Sequence, residues 1–298
     1  MIIQTGTRTA VLFSLLAASV VGACKSAADD EEAQIGNAVG DVMSGVDDAN
    51  QGSTSTAMLD RLPVLRMPDQ LRGPLWRRAT EALLPEAHAA ACSGVTFSSC
   101  DAGVRSRSFD DCSFGVATVS GSTSLAFSSA PACIFISTGD AVTRTASLTL
   151  TGLYGGTLAI TSPGGGQVLT KTATGFEYTV PGMERVLTTA GGRELFDVST
   201  ATTAPIEITG SSRSDLVIVS GTLQITHHLD GYAVSLTASN LAWAPTCNCA
   251  VSGSLTGTVS GGKHDGKSAS VTLTGCGEAE VNIDGETASV SLDRCSSI

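Results

Sequence analysis

The sequence predicts a mainly β fold: one antiparallel, sheet-rich domain over residues 92–298, arranged as a sandwich, a curled sheet or a barrel-like closure. Disulfides brace it and a short helical region precedes it. Three observations carry this expectation. Only 15% of the 298 residues are charged and 4% aromatic, while Ser, Thr, Gly and Val abound, a composition suited to half-buried strands. From Cys92 onward apolar residues alternate with hydroxyl residues, as in Ala146, Leu148 and Leu150 against Ser147, Thr149 and Thr151, and such runs recur between glycine-containing turns. The chain has nine cysteines, and setting Cys24 apart leaves an even set: Cys92, Cys100, Cys112, Cys133, Cys247, Cys249, Cys276 and Cys295. An even set of this size suits an oxidising compartment and up to four disulfides.

The first element, residues 1–23, reads as a secretory signal. A short polar start carrying Arg8 precedes the apolar run Ala10 to Val21, which is shorter than the roughly 20 helical residues that span a bilayer. The run ends in Val21-Gly22-Ala23-Cys24. This resembles the lipobox of bacterial lipoproteins, in which small residues precede a cysteine. The resemblance implies cleavage before Cys24, diacylglyceryl modification of its thiol and acylation of the new N-terminus, palmitate among the acyl chains. Two or more chains at about 0.8 kcal/mol per buried CH₂ anchor a protein stably where one does not. Lys25 in the following position resembles the outer-membrane sorting pattern of many Gram-negative lipoproteins.

Residues 24–56 read as an acidic, flexible tether containing Asp29, Asp30, Glu31 and Glu32. Ile35, Val39, Val42, Met43 and Val46 fall at helical spacing, but Gly36, Gly40 and Gly45 each cost about 1 kcal/mol relative to Ala, so a marginal or disordered segment is expected. Residues 57–91 form a short helical region punctuated by prolines, with Leu75, Trp76, Ala79, Ala82 and Leu83 on one face.

Within 92–298 three hairpins can be placed by register, because a tight turn decides which residues share a face. A turn at Asp284-Gly285 puts Ala279, Val281 and Ile283 with Ala288, Val290 and Leu292, and Glu278, Glu280 and Asn282 with Thr287, Ser289 and Ser291. That register makes Cys276 and Cys295 diagonal neighbours and the best candidate pair. A turn at Asp230-Gly231 groups Leu223, Ile225, His227 and Leu229 with Tyr232, Val234, Leu236 and Ala238, and turns His228 the other way. Gly261 to Ser268 matches the phosphate-loop pattern G-x-x-x-x-G-K-[ST] letter for letter. Yet an alternating strand follows where a phosphate loop needs a helix. A hairpin is expected instead, with His264, Asp265 and Gly266 as the loop, Gly266 left-handed, and Val259 opposite Val271. Pro163 with Gly164, Gly165 and Gly166 reads as a loop.

The net charge of −11 excludes a broad basic surface, and with it a nucleic-acid partner. No G-x-S-x-G elbow or H-E-x-x-H occurs. His227 and His228 with Cys247 and Cys249 suggest a zinc set, but adjacent strand residues face opposite sides and cysteines in an oxidising compartment pair with each other. No metal and no cofactor are therefore expected. His227 is expected as a core histidine with a hydrogen-bond partner, His264 at a hairpin tip, and Glu278, Glu280 and Asp284 on a solvated acidic face.

These readings favour a non-enzymatic lipoprotein of the cell envelope, structural or binding, anchored to the outer membrane by its acyl chains, with an envelope protein, a glycan or a hydrophobic ligand as partner. The alternatives are a carrier of lipid in a β cavity and a hydrolase whose site is assembled from distant segments.

Overall fold

The computed structural model describes residues 31–51, 94–114, 117–152, 154–210, 212–292, 295 and 297; Cys24, Cys92 and the expected helical region 57–91 lie outside them. One helix, α1 (Glu31–Gln51), precedes thirteen strands. These are β1 (Val95–Phe97), β2 (Val104–Phe114), β3 (Ala117–Phe127), β4 (Ala141–Thr151), β5 (Thr157–Lys171), β6 (Gly175–Thr188) and β7 (Glu194–Thr209). They continue as β8 (Val217–His227), β9 (Tyr232–Trp243), β10 (Ala250–Gly261), β11 (Ser268–Gly275), β12 (Glu278–Ile283) and β13 (Glu286–Ser291). Each pairs with the next in chain order as a single meander, and β1 and β13 do not pair with each other, so the sheet stays open. The expected mainly antiparallel, disulfide-braced β domain is what the chain forms.

Bulges curl the sheet. Register shifts fall between Arg144 and Ser147 in the β4–β5 pair, between Thr161 and Val168 in β5–β6, between Tyr178 and Met183 in β6–β7, and between Thr202 and Ile208 in β7–β8. A line of bulges across neighbouring pairs bends every strand it crosses. Pro163 and Pro181, which cannot donate to a ladder, both lie in this line. The glycine run expected as a loop is therefore part of β5: a Cβ on Gly164 would come within 2.6 Å of the Pro181 backbone, so the close approach of β6 requires glycine there.

The tether expectation fails over residues 31–51. Ile35, Val39, Val42, Met43 and Val46 are all buried, packed in the hollow of the curled sheet against Ile206, Ile218, Leu223, Leu236 and Leu255, with a residual cavity of about 10 Å³, room for one water. Burying five apolar side chains at about 1.5–3 kcal/mol each outweighs about 1 kcal/mol per helical glycine. Two of those glycines do the seating. A Cβ at Gly36 would lie 2.9 Å from Val290 Cγ1, and one at Gly40 would lie 3.3 Å from Leu292 Cβ and 3.5 Å from Cys295 Sγ. Glu31 and Glu32 occupy the first turn, favourable to the helix dipole. Lys263 Nζ and His264 Nε2 reach Glu31 Oε2 at 3.1 and 3.6 Å.

The hairpins hold with adjustments. β12 and β13 pair as expected, Ala279 with Val290 and Glu280 with Ser289, and the turn residues Asp284 and Gly285 have φ of 54° and 92°. At the second hairpin His227 pairs with Tyr232, two residues from the expected register, which preserves the faces but leaves Leu229 exposed in the loop. The phosphate-loop look-alike is a β10–β11 hairpin, and Gly266 has a φ of 74°. Asp265 Oδ1 accepts the Gly261 N–H at 2.7 Å and widens the loop, so Leu255, not Val259, opposes Val271.

The pairing of Cys276 with Cys295 is corrected. Cys276 bonds Cys247 and Cys249 bonds Cys295, with Cα separations of 5.7 and 5.4 Å; Cys100 bonds Cys133. Cys276 and Gly277 form the turn between Gly275 and Glu278 instead of extending β12, so Cys276 leaves the ladder before it can meet Cys295. Cys112 is also disulfide-bonded.

Candidate functional site

Cross-strand register assembles one polar cluster on the outer face. Glu184 on β6 pairs with Ser199 on β7, and Val186 pairs with Asp197, so Glu184, Asp197 and Ser199 share a face. Val198 pairs with His227 at the end of β8 and both are buried in the core. Asp197, Ser199 and His228 therefore point outward. The His228 N–H donates to the Asp197 carbonyl at 3.0 Å, which holds the first residue after β8 against β7. His228 Nε2 lies 3.1 Å from Ser199 Oγ. Thr161 on β5 donates its hydroxyl to Glu184 Oε2 at 3.3 Å. One ligand atom each from Glu184, Asp197 and His228 lies within 4.8 Å of the others. Asp197 Oδ1 is buried and accepts no hydrogen bond.

A serine beside a histidine invites comparison with a nucleophilic site. A working triad needs the histidine oriented by a carboxylate and donors for an oxyanion; Asp197 Oδ1 accepts nothing, and the cluster sits on the outward face of the sheet. Two carboxylates and one imidazole converging on a common point are, in contrast, the donor set of hard and borderline cations.

On the opposite face, His227 is a core residue as expected. Its ring stacks on Tyr232 at 4.8 Å and meets Phe196 edge-on at 5.7 Å. The expected hydrogen-bond partner is only half supplied: Asp230 Oδ2 lies 3.5 Å from Nδ1, and Nε2 has no partner. Burial pushes the imidazole pKa down to about 4; Asp230 pulls it up and His228 adds to the lowering. Burial wins because Asp230 is itself well exposed and screened by water. The Tyr232 phenol is held neutral well above its usual range, by burial first and then by Glu31, Asp230 and Glu32.

The zinc set suggested by His227, His228, Cys247 and Cys249 does not come together: both cysteines are oxidised and the two histidines lie on opposite faces. His264 sits at its hairpin tip, bound to Glu31. Glu278, Glu280 and Asp284 are exposed as expected, Asp284 pairing with Lys267 at 2.9 Å. Glu184 and Asp197 escaped the sequence reading. Their signal was the outward turn of His228, and only the β6–β7–β8 register, shifted by bulges, shows what it meets. Comparison with protein-family models, with curated proteins and with solved structures finds no match to this chain.

Proposed function

We propose that the chain is a membrane-anchored extracytoplasmic lipoprotein, a non-enzymatic binding or structural module of the bacterial envelope. The observation that carries this is Val21-Gly22-Ala23-Cys24 at the end of a short apolar run, with its resemblance to the lipobox. The state of the other cysteines supports it. All seven within the described residues, Cys100, Cys112, Cys133, Cys247, Cys249, Cys276 and Cys295, are disulfide-bonded, in keeping with an oxidising compartment.

The outer surface supports a binding role toward a hydrated partner such as an envelope glycan. One row runs Thr222, Thr237, Thr256, Ser270, Asn282, Thr287 across β8 to β13 by direct cross-strand pairing. A carrier of lipid has less support, since α1 fills the hollow that a ligand would need and leaves about 10 Å³.

Expression in a bacterium with lipoprotein processing tests the reading. The mature chain is expected to begin at Cys24, to carry the mass of a diacylglyceryl group and an amide-linked acyl chain, and to move to the soluble fraction when Cys24→Ser is introduced. An unmodified thiol on a soluble mature chain overturns it.

A further inference from the structure

We propose that Glu184, Asp197 and His228 bind one divalent transition-metal cation, with zinc as the best match to the donor set. Two carboxylate oxygens and one imidazole nitrogen make the three-protein-ligand arrangement in which zinc keeps a fourth position open. The three ligands stand on neighbouring elements whose spacing the sheet holds: Glu184 and Asp197 are diagonal neighbours across β6 and β7, and His228 is tied to the Asp197 carbonyl at 3.0 Å. The ligand atoms already lie within 4.8 Å of one another, so modest side-chain rotation closes them around an ion.

Two further features point to a cation. Asp197 Oδ1 is buried with no hydrogen-bond donor, an arrangement that costs about 1–3 kcal/mol or more for a charged oxygen unless a partner arrives. The outer contacts of the other two ligands match those of metal ligands. A ligating histidine donates its second ring N–H to a neighbour, and a ligating carboxylate is itself hydrogen-bonded. Here Ser199 Oγ sits 3.1 Å from His228 Nε2, a neighbour for one ring nitrogen, and Thr161 donates to Glu184 Oε2 at 3.3 Å. By register Arg185 belongs to the inner face with Val198, away from the cluster. His228 is exposed, so the ion enters from solvent and its open position faces outward.

The test uses the untagged full mature chain, purified in mild detergent, stripped with chelator and titrated with Zn²⁺ by calorimetry; Co²⁺ absorption reports the ligand field. One ion per chain is expected. His228→Ala and Asp197→Asn are each expected to weaken binding by at least about ten-fold, with circular dichroism of the metal-free protein unchanged. His228 is exposed, so the His228→Ala protein keeps its fold and isolates the ligand effect. His264→Ala, whose ring is held by Glu31 on α1 and takes no part in the cluster, is expected to bind as the parent does. Absence of saturable one-to-one binding by the parent chain, or full retention of binding by both ligand variants, overturns the proposal.

Discussion

Protonating His227 is the most quantitative perturbation the fold offers. Its side chain is 3% exposed, enclosed by Phe196 and Tyr232, and its pKa is pushed down to about 4 against about 6.5 for an ordinary histidine. Between those values the unfolded chain binds a proton that the folded chain refuses, so stability rises with pH across this window and falls as the solution is acidified. From the two pKa values, moving from pH 7 to pH 4.5 costs about 2 kcal/mol through this one group. Carboxylates titrate in the same range, so the effect is isolated by difference. Urea unfolding of a Cys24→Ser chain, with chelator present, is compared at the two pH values with the same chain carrying His227→Phe, which keeps the ring stack and removes the titration. The gap in unfolding free energy between the two proteins is expected to shift by about 2 kcal/mol in favour of the Phe variant at the lower pH. A shift below roughly 0.5 kcal/mol would show that His227 is either solvated or absent from the packed core, and would refute the burial argument.

Gly36→Ala raises helix propensity yet is expected to destabilise, by about 1–2 kcal/mol, because the new methyl meets Val290 on β13; combining it with Val290→Ala in an unfolding cycle should recover part of the loss. Met43→Ala, at the buried centre of the helix face, is expected to cost about 2–5 kcal/mol in the same assay. Replacing Cys249 and Cys295 together by Ser opens a loop of 46 residues and should lower stability by about 4 kcal/mol on the chain-entropy account, read from the shift in urea midpoint at constant slope.

The strands were legible because their information is local. Alternation along Ala146–Thr151 or Glu278–Leu292 declares a face without reference to anything distant, and a two-residue error of register, as at His227 and Tyr232, leaves the faces unchanged since the side-chain period is two. The helix was not legible as a core element because its glycines look like helix breakers until Val290, Leu292 and Cys295 are placed against them. The disulfides themselves were legible, but the pairing of Cys276 with Cys295 was not: the two are close in the pattern, and Cys247 and Cys249, which precede β10, take one each. The polar cluster at Glu184, Asp197 and His228 depends on three strands and the bulges between them, and no local spacing encodes it.

Helix α1 filling the hollow of the sheet is what separates a binding module from a carrier with an open groove. Native-state hydrogen exchange read by mass spectrometry on the full mature chain measures this directly. Peptides covering Ile35 to Val46 are expected to show protection comparable to that of β8 and β9, since these elements share one core. Exchange of those peptides at the rate of an unstructured chain, with the sheet still protected, would contradict it.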